Sequence, residues 1–469
     1  MSTEEQSLTG EQMNSLEKVK KQLKQVFGET TDLAVEPVDV GQYKGLMCYL
    51  TTMTNSAFIM EHVVKKLAMS EHKEPISKEE TFQQLEISAY SGLSHQTLQN
   101  IDDVMFKIVL GNAAIFIEGC AQVLVLDVRT LNSRSIEEPS TQNVVRGPKE
   151  GFTESADTNM SLIRRRFNNV KLRFEKYELG YLTHTAVYMA YLDGEVDEEI
   201  LKQVRETLSS SHIDSLFDSG RIEEMFHSKG KGIQLFPTVY SSERPDAVCS
   251  CMINKRIAII VDGSPFVLIV PTIFPDFFQS PEDEYQWVVI GVFSRWLRYF
   301  AFVLSLIVPA LYIAVTSYHQ ELIPSVLLTS IAAQREGIPF PASIEILLME
   351  ITFEILREAG TRMPRLVGPT ISIVGALVLG EATVQAGVVS NINVIVVSLT
   401  AISGFVAPIY TFGSKVRFFR FGLILLSSLI GLYGLVLGCC LLMVQLTRIE
   451  SFGVPYMSLF SRWDKRRVT

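Results

Sequence analysis

Four charged residues at helical spacing pose the first chemical question. Glu350, Glu354, Arg357 and Glu358 stand in "LLMEITFEILREAG", residues 347–360, inside the most apolar part of a chain of 469 residues. At about 100° per residue, Glu354, Arg357, Glu358 and Thr361 all fall within roughly 80° of Glu350. Leu348, Ile351, Thr352, Ile355 and Leu356 fill the far side, and Glu345 lies outside the stripe. A row of carboxylates can draw cations along a water-filled path. Facing hydrocarbon, each charge would cost roughly 2.5–3.5 kcal/mol. Two arrangements remove that cost. The helix can lie in a membrane interface, its ions paired as Glu354–Arg357 and Glu358–Arg362. Alternatively, the stripe can line water inside an oligomer. Spacing leaves both open, and in either case Glu350 has no partner within its own helix. Glu381, between two apolar runs, joins the ion-pathway candidates.

Other chemistry finds little footing. There is no GxSxG, GxxxxGK, HExxH or paired CxxC pattern, and the seven histidines are dispersed. The six cysteines are scattered, and Cys249-Ser250-Cys251 lacks a second pair at zinc spacing. No metal, cofactor or enzymatic activity is expected.

The elements that must position the stripe divide into two unlike halves. From Trp287 onward there are 14 Lys+Arg and 9 Asp+Glu, which leaves 42 − 14 = 28 basic and 51 − 9 = 42 acidic residues before it. The front is therefore at −14 and the back at +5. An acidic front argues against nucleic-acid binding. The opening "MSTEEQSLTGEQMNSLEKVKKQLKQVFG" reads as a polar amphipathic helix and not as a cleavable signal, which puts the front half in the cytoplasm.

Within the front, "TDLAVEPVDV" and "KGLMCYLTTM" have strand character, and "SAFIMEHVVKKLAM" and "SHQTLQNIDDVMFKIVLG" read as amphipathic helices. "AAIFIEG" with "QVLVLDV", and the two runs of "RIAIIVDGSPFVLIVP" around Asp262-Gly263, read as buried hairpins. "NMSLIRRRFNN", "DEEILKQVRETLSS" and "GRIEEMFH" read as helices, and "HTAVYMAYLDG" as a strand. Interleaved strands and helices indicate an α/β region of two subdomains, 26–134 and 135–286, after an N-terminal segment 1–25. The polar stretch at the divide contains Arg146-Gly147-Pro148, where backbone amides and an arginine could hold an anion or meet another subunit. Glu138, Arg146, Gly147, Pro148 and Glu154 are its candidate residues.

Residues 287–447 read as an α-helical multi-pass transmembrane domain, followed by a basic tail, 448–469. Tyr299 to Ser317 is 19 residues without a charge, preceded by Arg295 and Arg298, which the positive-inside rule sets on the cytoplasmic side. "ELIPSVLLTSIAAQ" is too short to cross and suggests a re-entrant or interfacial piece. "LVGPTISIVGALVLG", the uncharged run Ala382 to Ser414, and Phe421 to Thr447, read as one clean span, complete four to six crossings. Pro309 fits a kink, and Gly434 with Gly438 fits close helix packing. The basic tail and Lys415, Arg417 and Arg420 lie at opposite ends of that last span, so charge counting leaves the topology unresolved.

Six blocks in order carry a family resemblance: "EPSTQNVVRGPKEGFTESADTNMSLIRRR", "SERPDAV", "VDGSPFVLIVPTIF", "QSPEDEY", "SYHQELIP" and "IPFPASIEILLMEITFEILREAGTRMP". Together they resemble the A subunit of spore germinant receptors, the GerA family, with the match running to "SFGVPY" near the end. The resemblance implies a subunit in the inner membrane of a dormant bacterial spore, its N-terminal domain in the spore core. It implies a transporter-like B subunit and a lipoprotein C subunit as partners. It further implies self-assembly, as a pentamer, into a nutrient-gated channel that releases monovalent cations. Ligand sensing by the two subdomains, a non-conducting scaffold, and the related stage V sporulation AF branch are the alternatives.

Overall fold

The computed structural model describes residues 15–40, 43–55, 58, 59, 61, 94–129, 137–210, 213–228, 236–362, 368–406 and 408–458. The first subdomain runs α1 (Leu16–Phe27), β1 (Leu33–Val40), β2 (Tyr43–Leu50), β3 (His95–Leu98), α2 (Ile101–Val109), β4 (Ala113–Ile117) and β5 (Val123–Leu126). Its strands form an antiparallel sheet in the order β1-β2-β4-β5-β3. The second contains α3 (Ala156–Arg166), β6 (Leu172–Leu179), β7 (Thr185–Leu192), α4 (Glu198–Ser209), α5 (Gly220–Ser228), β8 (Tyr240–Ser242), α6 (Pro245–Ile253), β9 (Ile257–Val261) and β10 (Val267–Val270). Its order, β6-β7-β9-β10-β8, repeats the first.

The two subdomains are thus one topology used twice. Over the second half of each unit the register is constant: Ile101, Ala113 and Val123 start elements that Pro245, Ile257 and Val267 start 144 residues later (101 + 144 = 245). Gly119 and Gly263 hold the same hairpin turn with φ of 82° and 88°, a conformation that glycine adopts without steric penalty. The stretch 94–111, expected as one helix, is a strand followed by a helix. Asn100 stops the strand and caps α2 by accepting from Asp102 N, while His95–Leu98 pairs with β5. Helix α1 packs on the first subdomain: Val19, Leu23 and Phe27 are fully buried in its core. Of the expected helix of residues 56–69 only 58, 59 and 61 are described, and the divide at Arg134 lies outside the described residues.

A buried ion pair joins the subdomains. Arg164 of α3 donates to Asp32 at 2.8, 2.9 and 3.1 Å, with both side chains almost fully excluded from solvent. Thr31 N to Phe174 O, and Phe174 N to the Thr30 hydroxyl, continue the seam.

The back half is helical: α7 (Glu282–Tyr285), α8 (Val288–Ser317), α9 (Ser325–Arg335), α10 (Ala342–Arg362), α11 (Gly368–Gln385), α12 (Asn391–Phe405), α13 (Tyr410–Ile430) and α14 (Leu432–Arg448). Among the described residues α8 alone is long and apolar enough to cross a membrane by length and composition; α12 and α14 are shorter apolar helices. The clean span expected from Phe421 to Thr447 is instead the bend of a helical hairpin. Gly431, at φ 64°, ends α13 and turns the chain back into α14. A Cβ on Gly434 would lie 2.1 Å from the Leu426 carbonyl oxygen, and one on Gly438 2.3 Å from the Leu423 side chain. Those two glycines, read as a close-packing pair, let α14 lie directly on α13.

The hairpin removes the conflict in the charge distribution. Lys415, Arg417 and Arg420 in the first half of α13, and Arg448 at the end of α14, now share one end. Helix α8 ends at the opposite, bend end, where the Tyr318 hydroxyl donates to the carbonyls of Ser428 and Leu429. The start of the expected basic tail is part of the fold: β11 (Glu450–Ser451) and β12 (Val454–Pro455) form a small hairpin. Tyr456 O accepts from Phe274 N, and the Ser451 hydroxyl bridges Thr272 N and Thr238 O. Residues 459–469 lie outside the described residues.

Candidate functional site

The acidic stripe of α10 is arranged against α13. Glu350 is almost fully buried, and Arg420 of α13 donates to its Oε2 at 2.7 Å. One turn on, Glu354 is held by Arg357 of its own helix, and Arg417 of α13 approaches it at 3.6 Å. Glu358 pairs with Arg362 at 2.7 Å on the exposed end of the helix. Both pairs expected within α10 are formed. Glu350 finds its partner on a different helix, and within one chain its carboxylate is shielded from solvent. The successive pairs Glu350–Arg420 and Glu354–Arg417 also establish that α10 and α13 run antiparallel.

Burial sets the stakes of this arrangement. Two charges withdrawn from water lose several kcal/mol of hydration each, and their attraction offsets this only while both are present. The pair is incompletely satisfied: among the described residues Glu350 Oε1 and Arg420 Nε have no hydrogen-bond partner. A narrow cleft lined by Arg298, Ser305, Ser403, Arg417 and Arg420 runs beside it, with Phe302 and Phe412 on its wall. Glu345, which the periodicity sets apart from the stripe, performs a structural task. Its carboxylate accepts from Ser390 N at 3.0 Å and from the Asn393 amide at the start of α12, and Arg335 lies 3.4 Å away. An acid at a helix N-terminus complements the free N–H groups there. Glu381 is exposed on α11 and accepts from Gln385 at 3.1 Å.

The polar loop between the subdomains is pinned from beneath by two buried residues of "SERPDAV". Glu243 accepts from Ser140 N at 2.7 Å and Thr141 N at 3.2 Å. Arg244 donates to the carbonyls of Gln142 and Pro148 and to Asp246. Gly147, at φ 136°, lies against the Tyr285 ring, whose hydroxyl also donates to Asp246 at 2.9 Å. Two residues earlier, Asp283 binds Arg298 of α8 at 2.6 Å. Loop, α6, α7 and the start of α8 are therefore one hydrogen-bonded unit. Of the loop candidates, Glu138 pairs with Lys149 at 2.9 Å on the surface, and the Glu154 carbonyl accepts from Gly263 N. Arg146 stays exposed at the tip beside Val145. Pro148 also borders a shallow depression with Lys149, Arg165 and Arg166.

The α/β region also grips α13 through aromatic packing and an ion pair. Phe236 stacks on Phe419 of α13 at 4.5 Å between centroids, and Phe277 stacks on Phe412 at 4.9 Å. Lys415 binds Glu223 of α5 at 3.2 Å. The His227 Nδ1 lies 2.8 Å from the Glu223 carbonyl. Burial, together with the Lys415 ammonium, holds the His227 imidazole below its ordinary value of 6.5, against the opposing pull of Glu223.

Sequence reasoning singled out Glu350 but missed Arg420, Arg417, Glu243, Arg244 and Tyr285. Arg417 and Arg420 were visible as charges beside an apolar run; the signal that could have paired them with α10 was the unpartnered Glu350.

A family model described as Bacillus/Clostridium GerA spore germination protein matches residues 21–469. The chain is 42% identical over 457 residues to spore germination protein KA of Bacillus subtilis (strain 168), covering 97% of this chain and 83% of that one. It is 36% identical to spore germination protein GerLA of Bacillus cereus, covering 94% and 89% of the two chains. It is 38% identical to a Bacillus subtilis protein described as uncharacterized membrane protein YfkQ, covering 93% and 84%. Among solved structures it is similar to the N-terminal domain of the A subunit of the Bacillus megaterium spore germinant receptor GerK3. That match has 25% identity and a TM-score of 0.45, and covers 57% of this chain and 97% of that one.

Proposed function

This chain belongs to the GerA family of Bacillus/Clostridium spore germination proteins, and from that premise we propose that it is the A subunit of a nutrient receptor that conducts cations. In this reading copies of the chain, as a pentamer, surround a path in the inner spore membrane. A transporter-like B subunit and a lipoprotein C subunit complete the receptor, and nutrient binding opens the path to monovalent cations.

The observation that carries the reading is the acid row of α10 inside an apolar helical bundle. Charges there need either water or a counter-charge. Glu350 has its counter-charge in the protein interior, whereas the side chain of Glu358, paired with Arg362, is still 62% exposed, and Glu381 is exposed. Those two, with Glu354, are the acids that could meet permeating cations. Arg357 tempers the field between them.

Six helices, α8 and α10 to α14, would cross the membrane in alternating directions. An even number returns the chain to the α/β side, in keeping with the docking of Tyr456 onto the second subdomain. Arg295, Arg298, Lys415 and Arg448 gather at that same side, which supports a cytoplasmic α/β region. A ligand sensor that works by closing its two subdomains has less support, because the Asp32–Arg164 seam between them is buried and fully engaged.

The test is flux. Purified full-length chain in potassium-loaded liposomes should pass potassium in preference to chloride, with or without the other subunits. Tight liposomes under every nutrient and subunit combination would leave a scaffold as the better reading.

A further inference from the structure

Resting on that reading, we infer that α13 is the transmission element of the receptor: it couples the α/β region to the acid row, and the Glu350–Arg420 pair is the latch it controls. Arg420 is a positioning residue in this scheme, acting through Glu350.

The inference comes from what one short stretch of helix touches. Between Phe412 and Arg420, α13 presents two faces roughly a quarter-turn apart. On one face Phe412, Val416 and Phe419 are buried in the core of the second subdomain, and Lys415 beside them binds Glu223. On the other, Arg417 and Arg420 hold Glu354 and Glu350. The two sets occupy the same three turns. Because packed side chains leave little slack, a rotation or shift of the subdomain must carry the arginines with it.

The latch has the properties of a two-position contact. It is buried, which makes it strong while formed. It is also incompletely satisfied, with Glu350 Oε1 and Arg420 Nε unbonded among the described residues, which leaves an alternative arrangement accessible. Releasing Arg420 would free the Glu350 carboxylate on the same stripe as Glu354. The latch thus keeps one acid of the row neutralised until the subdomain moves.

The test uses the full-length chain in lipid nanodiscs and reads amide hydrogen exchange over residues 346–358. Arg420→Gln should raise exchange there about tenfold, and the exchanged pair Glu350→Arg with Arg420→Glu should bring it back. Phe236→Ala touches neither latch residue, yet should raise exchange in the same segment several-fold by loosening the root of α13. Lys415→Gln provides a second, milder root variant if Phe236→Ala fails to fold. Root variants that loosen residues 410–419 and leave 346–358 at the wild-type rate would overturn the coupling. Exchange does not depend on conduction. Coupling seen in a chain that passes no cations would therefore support this inference and contradict only the channel reading.

Discussion

Arg420 and Glu350 form a 2.7 Å ion pair between antiparallel helices, with side chains 3% and 1% exposed. Removing one partner strands a buried charge, so Arg420→Met should destabilise the chain by on the order of 3–5 kcal/mol. Replacing both, as Glu350→Leu with Arg420→Met, should recover most of the loss. Thermal unfolding in detergent micelles reads the difference. A single variant as stable as the wild type would mean that the pair is not formed.

The Asp32–Arg164 seam should behave in the same way in the other half of the molecule. Asp32→Ala leaves the Arg164 guanidinium buried against Phe174, without its carboxylate. A loss on the order of 3 kcal/mol is expected. Limited proteolysis should then cut between the subdomains faster than in the wild type, while each subdomain core stays protected. Uniform protection would show that the seam contributes little.

Two glycines of the helical hairpin should respond in opposite directions. Gly434→Ala places a Cβ against the Leu426 carbonyl and must push α14 away from α13. Gly422→Ala meets nothing within 4 Å among the described residues and should stabilise its helix by up to about 1 kcal/mol. Comparing the melting temperatures of the two variants tests the hairpin. Equal effects would favour a single continuous helix.

The junction around His227 should weaken in acid. Its folded-state pKa is lowered, so as pH falls below about 6.5 the unfolded chain takes up the proton first. Stability from this group is therefore complete above that value and is lost as pH falls through the folded pKa. His227→Gln should remove this part of the pH dependence. Melting curves at pH 7.5 and 5.5 compare the two proteins, and identical slopes would contradict the assignment.

What was legible in the sequence was local. Short apolar runs gave away β1, β2, β4, β5, β7, β9 and β10 but not the more polar β6, Asp262-Gly263 marked its hairpin, and i+3 and i+4 spacing paired Glu354 with Arg357 and Glu358 with Arg362. Contacts distant in the chain were not legible: nothing near Glu350 announces a partner seventy residues on. The bend at Gly431 sits inside an uninterrupted apolar run, where hydropathy sees one span and only backbone geometry sees two helices. His95–Leu98 is too short to separate the two periodicities without its partner strand. The internal repeat was hidden because positions that kept the same residue, such as Ala114 and Ala258 or Gly119 and Gly263, are interspersed with changes of class, such as Lys107 to Cys251 and Asn112 to Arg256.

The central claim is that the acids of α10 serve cation release. The most direct measurement is potassium efflux from spores carrying Glu354→Gln and Glu358→Gln, which leave the buried Glu350–Arg420 pair intact, with the chain at wild-type abundance, after nutrient is added. The account predicts markedly slower efflux than from wild-type spores. Efflux at the wild-type rate and extent would contradict it.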